Sequence, residues 1–112
     1  MNIEWDESKS DTCFRDRGFD FAYAAAAFAD PDRIIRPDTR HSYGEDRYQL
    51  IGRIDERLFV LVYTPRHNAI RIISARKANT REFVLQIIKM HHINHIHFGT
   101  WSFLDTRQRH AL

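Results

Sequence analysis

Hydrophobic and polar positions change their period once along this chain. Asn2–Trp5 alternates polar and apolar residues, as a short strand does. Asp6-Glu7-Ser8-Lys9 then supplies acidic side chains where a helix N-terminus favours negative charge, and Arg17-Gly18 is a C-terminal stop, so the spacing predicts a helix from about Glu7 to Arg17. Phe19-Asp20-Phe21 introduces an alanine-rich run through Phe28, with Asp20 as its cap and Asp30-Pro31 ending it. That run predicts a second helix packed by its alanine face.

From Arg33 the runs become short and β-rich. Ile34-Ile35, Tyr48 to Ile54, Leu58 to Thr64 and Ala69 to Ala75 are separated by turn-like Gly44, Asp55-Glu56 and His67-Asn68. Connections of hairpin length predict an antiparallel sheet. In the last of these strands Arg71 alternates with Ile70 and Ile72, which predicts a face lined by arginine and shared with Ile73. Ala78 to Glu82 reads as a helix start, with Asn79 or Thr80 capping, and Phe83 to Met90 carries an apolar side about two turns long. The expected class is α+β: N-terminal helices on a small antiparallel sheet of three to four strands, followed by a C-terminal helix.

Composition places the chain among folded single domains. It has 112 residues, 43% hydrophobic and 12% aromatic, enough for one modest core. The N-terminus lacks a basic region followed by an apolar one, and no apolar run approaches the roughly 20 residues of a membrane span, so the protein reads as cytoplasmic with no membrane partner. A lone Cys13 forms no internal disulfide and reads as a small buried helix residue. The net charge of +2 conceals an asymmetry: residues 1–32 hold three Lys/Arg against eight Asp/Glu, whereas residues 33–81 hold eleven against five. A basic middle segment built mostly from arginine favours a polyanion, because guanidinium offers paired donors to phosphate oxygens.

Two clusters carry that charge. Residues 38–48 gather His41, Glu45, Arg40 and Arg47, and Arg71-Ile-Ile-Ser-Ala-Arg76-Lys77 follows on a strand, so the two could converge at one end of the sheet. The plainer readings are a solvated turn with local Arg–Glu45 pairing and an edge-strand charge that resists aggregation. Tyr43 and Tyr63 read either as base-stacking rings or as core and turn aromatics. In the tail, His91 and His95 share a helix face and His95 and His97 a strand face, but not both at once, and no cysteine or carboxylate lies near them or His92; no metal or other cofactor is expected.

Several separated blocks carry a resemblance: Trp5-Asp6-Glu7-x-Lys9, Arg15 with Gly18, Ala24 to Phe28, Asp30-Pro31, Arg40 to Tyr48, Ile51-Gly52-Arg53, Val62-Tyr63-Thr64 and Ile70 to Ala78. In this order and spacing, over roughly residues 3–82, the chain resembles the BrnT family of type II toxins. The resemblance implies a toxin core over residues 1–82, with a divergent C-terminal helix and histidine-rich tail over 83–112 in the same single domain. It implies a RelE-like fold and a metal-independent endoribonuclease that inhibits translation. It also implies neutralisation by a BrnA-like antitoxin, through which operator DNA is bound.

In RelE-type cleavage the RNA's own 2′-hydroxyl attacks the adjacent phosphate, and the protein moves protons and holds the growing charge. On that reading Arg71 and Arg76 clamp phosphate, either His41 or Glu45 is the base, and Arg40, Tyr43, Arg47, Tyr63 and Lys77 bind RNA. Two departures stand against the family pattern. Where its members usually show Asn and then Lys-His-Gly at the end of the first helix, this chain has Cys13 and Asp16-Arg17-Gly18, and the usual short charged final helix is replaced by an apolar tail with Trp101. The alternative is therefore a catalytically weak or inactive module that binds RNA or antitoxin.

Overall fold

In a computed structural model, which describes residues 2–40 and 44–91, the chain enters its first helix through Asp6. The Asp6 carboxylate accepts from the backbone N–H groups of Ser8 (2.9 Å) and Lys9 (3.4 Å), two donors that a helix start leaves without intrahelical partners. Helix α1 (Glu7–Arg17) ends at Gly18, whose φ of +86° is the left-handed cap that glycine adopts without a Cβ penalty. The strand before it, β1, is Asn2–Trp5.

Helix α2 (Phe21–Ala24) is capped by Asp20, which accepts from the Tyr23 N–H at 2.8 Å, and its start is tied to α1 by the Phe21 N–H donating to the Ser10 hydroxyl at 3.0 Å. The expected single helix through Phe28 divides here: Ala25–Ala29 winds as a 3-10 helix. The tighter winding brings the backbone of Ala27 against the sheet, where a Cβ built on Gly52 would lie 2.5 Å from the Ala27 carbonyl oxygen and 3.0 Å from its Cβ. Asp30 then pins the end of this segment, accepting from the backbone N–H groups of Arg53 (2.7 Å) and Asp32 (2.9 Å).

The remaining strands are β2 (Ile34–Pro37), β3 (Tyr48–Ile54), β4 (Arg57–Arg66) and β5 (Ala69–Lys77), and they form one sheet in the order β1-β5-β4-β3-β2. This corrects the expected three to four antiparallel strands. The sheet has five and is mixed, because β1 runs parallel to β5 with Glu4 beside Arg71 and Trp5 beside Ile72. A parallel partner reached only after more than sixty residues leaves no hairpin signal in the sequence. The two edge strands have four residues each. The tight turns fall where the sequence predicts them, with Asp55 (φ 54°) and Asn68 (φ 61°) in the left-handed region that Asp and Asn tolerate best after glycine.

One irregularity reorganises β5. Tyr63 pairs with Ile72 but Val62 pairs with Ser74, so Ile73 is an extra residue with no partner on β4. Arg71 lies opposite Thr64 and Arg76 opposite Val60, positions an even number of residues apart on β4, so the two arginines share a face. In an unbulged strand, residues five apart would point to opposite faces. The expected company of Ile73 with Arg71 is replaced by that of Arg76.

The helical face of the sheet holds the core: Leu50, Phe59, Leu61 and Ile72 pack with Phe21, Ala24 and Ala27. Each such large side chain contributes about 1.5–3 kcal/mol by leaving water. Strand β4 is central and buried from Leu58 to Thr64, so Val60 and Val62 on its other face are buried too, which explains its unbroken apolar run. Contacts separate residues 2–77 from a second unit that begins at Ala78. In the second, α3 (Thr80–His91) opens on a reciprocal capping box: the Glu82 N–H donates to Asn79 Oδ1 (2.9 Å) and the Asn79 N–H to Glu82 Oε1 (2.8 Å). Of the two candidate caps, Asn79 takes the role.

The contact at Gly52 sets an expectation for stability. Gly52→Ala forces either the Ala27 backbone or β3 to move and should cost roughly 1–3 kcal/mol in urea denaturation. An unchanged midpoint would mean that the 3-10 helix backs away from β3 freely.

Candidate functional site

Strands β2 and β3 form a hairpin whose loop, residues 38–47, is long for such a connection and carries the first basic cluster. Both ends of the loop are anchored. The Asp38 N–H donates to the Arg47 carbonyl at 2.8 Å, continuing the ladder by one rung. The buried hydroxyl of Thr64, on β4, donates to the Asp46 carbonyl at 2.6 Å. Asp38 points its carboxylate inward, with 1% of the side chain accessible, and takes both donors of Arg40, Nε at 2.7 Å and Nη2 at 3.0 Å. That bidentate bond, which outweighs the desolvation of the carboxyl, holds Asp38 below its ordinary value of 3.8.

Past Gly44, whose φ of +75° turns the chain back, Glu45 sits between two cations. Its Oε2 accepts from Arg47 Nε at 3.2 Å, and its Oε1 lies 3.5 Å from an Arg66 guanidinium nitrogen. Arg66 is the last residue of β4, two beyond Thr64 and on the same face. One strand over, Arg71 lies opposite Thr64 and forms an ion pair with Glu4 of β1 at 2.9 Å. Thr64 thus joins the loop to the strand that carries Arg71, and Glu45, Arg47, Arg66, Arg71 and Glu4 collect at one end of the sheet.

The other expected residues are distributed as follows. Arg76 shares the face of Arg71 but lies opposite Val60, four β4 positions away, or about 13 Å along the sheet. That separation is wide for two arms closing on one phosphate and better suited to two phosphates of one strand. Lys77 ends β5 opposite Phe59, on the helical side of the sheet. Arg40 is exposed and bonded to Asp38. Tyr63 is buried in the core, stacked on Tyr48 (centroids 5.7 Å) and edge-on to Phe28 (5.2 Å), and burial pushes its hydroxyl above the ordinary value. Its ring faces are spent on protein neighbours, which is at odds with stacking on a base. His41 and Tyr43 lie outside the described residues, as do His92, His95 and His97 of the tail. Cys13 is buried as expected, its thiol donating to the Ala75 carbonyl, and burial pushes the thiol up.

Glu4 and Arg66 are participants that sequence reasoning missed. Glu4 occupies a polar position of the alternating Asn2–Trp5 segment, and Arg66 stands at the polar end of an apolar strand, but only the parallel pairing and the fold of the loop reveal what they touch.

Away from this end, a second concavity of about 410 Å³ opens where α1 ends, between Phe14, Tyr23, Phe59 and the cationic side chains of Arg17, Arg57 and Lys77. Among the described residues no group of three or more His, Cys, Asp or Glu is arranged to hold a metal ion, and no helix is long and apolar enough to cross a membrane.

A five-stranded mixed sheet with α1 and α2 packed on one face and paired arginines and carboxylates gathered at one end of the other defines an α+β protein. The family model for BrnT, the ribonuclease toxin of type II toxin–antitoxin systems, matches residues 5–82, and this chain belongs to that family. No curated protein matches the chain.

The loop anchor has a pH signature. Because the folded chain holds Asp38 below the value of the unfolded one, its contribution is complete above about pH 4 and is lost as pH falls through the folded value. Asp38→Asn should therefore cost about 1–2 kcal/mol at pH 7 and progressively less below pH 4, followed by denaturation across that range. Equal destabilisation at pH 3 and pH 7 would show that the charged pair with Arg40 is not the source.

Proposed function

We propose that this chain is the toxin of a type II toxin–antitoxin pair and that it stops translation by cutting RNA in the cytoplasm without a metal, on a RelE-like fold. The observation that carries this reading is the gathering of an oriented carboxylate, Glu45, with Arg47, Arg66 and Arg71 at one end of the sheet. Cleavage through the substrate's 2′-hydroxyl needs a base for that proton, cations for the charge growing on the phosphoryl oxygens and an acid for the departing 5′-oxygen. Glu45, steered by Arg47 and Arg66, is the base. Arg71 takes the scissile phosphate, Arg76 a neighbouring one, and His41 is the acid, since imidazole gives and takes protons near neutral pH. The products are a 2′,3′-cyclic phosphate and a free 5′-hydroxyl.

Glu4 tempers this chemistry. Arg71 must leave its carboxylate to meet a phosphate, so Glu4 competes with the substrate for the same guanidinium. A BrnA-like antitoxin neutralises the toxin and, as the DNA-binding member of the pair, carries it to operator DNA. The second reading is a binding module without cleavage, favoured by that same Glu4–Arg71 pair, which leaves the cation already neutralised.

Controlled expression in bacteria separates the two. Wild type should arrest growth with loss of RNA, and Arg71→Ala or Glu45→Gln at matched protein levels should relieve both, each lowering cleavage roughly 10²-fold or more. Glu4→Gln, which frees Arg71, should bind RNA more tightly than wild type. Folded wild type that leaves growth and RNA intact would sink the nuclease and leave the binding module.

A further inference from the structure

The concavity at the end of α1 has a lining unlike an ordinary surface dent. Four of the side chains around it are aromatic, Phe14, Phe19, Tyr23 and Phe59, and none is aliphatic. Phe59 is the hub: Phe19 meets it edge-on at 4.9 Å and Tyr23 at 5.8 Å. Two of these rings are left open to water, Phe14 at 60% and Tyr23 at 45% exposure, although large apolar groups gain by being covered.

Three cations stand around the rings. Arg17 gives one nitrogen to the Ala75 carbonyl at 3.2 Å, whereas Arg57 and Lys77 are exposed and have no ion-pair partner among the described residues. Asp20 also borders the concavity, its carboxylate accepting the Tyr23 N–H, so one negative charge stands there against three positive ones. At about 410 Å³ the space matches pockets that take one small planar ligand.

Exposed aromatic rings beside an excess of cations are what single-stranded nucleic acid requires: a ring for the base and a charge for its phosphate. An acidic peptide would satisfy the cations equally well, but an apolar peptide anchor would not call for walls made of rings alone. We propose that this concavity is a nucleotide subsite, in which an unpaired RNA base stacks against Phe14 and Tyr23 while its phosphate rests on Arg57 and Lys77. This rests on the reading of the chain as an RNA-acting toxin and adds to it a second contact. Arg57 and Arg66 are the two ends of β4, about 30 Å apart and on opposite faces of the sheet. One RNA strand would therefore reach both only by passing round an edge or end of the sheet, with the subsite many nucleotides from the bond that is cut. The subsite would then set which stretch of RNA is presented rather than how fast it is cleaved.

The four glycines of the chain make the test direct. With ¹⁵N-glycine labelling, Gly18 reports the concavity and Gly44 the loop beside Glu45, each as an amide signal in NMR titrations with six-nucleotide single-stranded RNAs, all-adenine and all-uracil. The expected result is a saturable shift of Gly18. Phe14→Ala and Arg57→Ala, both at exposed positions, should weaken it roughly tenfold with unfolding curves unchanged. Arg15→Ala, which removes an equal charge from α1 outside the concavity, should leave it as in wild type.

A shift of Gly44 alone, with RNA still bound or cut, overturns the subsite and leaves the nuclease reading standing. A Gly18 shift produced by an acidic peptide but not by RNA overturns it in favour of a protein-docking pocket. If wild type neither binds nor cuts RNA and Gly18 stays still, the RNA-acting reading falls and the subsite with it.

Discussion

A single unpaired residue, Ile73, decides which side chains of β5 act together. Strand geometry would send Arg71 and Arg76 to opposite faces, and the bulge turns the second half of the strand over so that both project from the face opposite α1 and α2. The same reversal puts Ala75 into the core, opposite Leu61, where a regular strand would have placed Ser74. Packing on one face and positive charge on the other therefore have one cause. Hydrophobic burial stabilises the bulge indirectly, because Ile72 and Ala75 both face the core only if Ile73 is skipped.

The loop of residues 38–47 is governed by a different kind of constraint. Its ends are joined to the sheet by a ladder rung at Asp38 and by the hydroxyl of Thr64, and two of its acid groups, Asp38 and Glu45, are each given a guanidinium. Long loops ordinarily hold polar side chains loosely. Here Glu45 is steered from two directions, by a neighbour in the loop and by the end of β4, which is how a loop residue acquires the orientation of one on a strand.

Much of this was legible locally and little of it at long range. The limits of α1, the caps at Asp20 and Asn79, and the turns at Asp55 and Asn68 follow from residues that act on their own neighbours within four positions. The class followed too, whereas of the second basic cluster only Arg71 lies at the loop's end of the sheet, with Arg76 four positions along and Lys77 on the other face. What could not be read were facts that depend on distant partners: the parallel seat of β1, the break of the second helix where Ala27 meets Gly52, and the bulge that reassigns Ile73. Tyr63 shows the same limit, since a tyrosine among β-branched residues looks alike whether its ring meets a base or meets Tyr48 and Phe28. Family membership was legible because it rests on the order of many blocks, none of which needs the fold to be known.

The two four-residue edge strands have a consequence for how any partner can restrain this molecule. An inhibitor that extends a neighbour's sheet gains in proportion to the length of ladder it can continue. Each border here offers about 13 Å of it, and the one formed by β2 closes on Pro37, which has no N–H to give. Backbone annexation is therefore a poor route to grip, and recognition is pushed onto side chains, where one substitution can make or abolish a match. A pair of proteins held together in that way can drift apart from its relatives quickly while each member keeps its own fold.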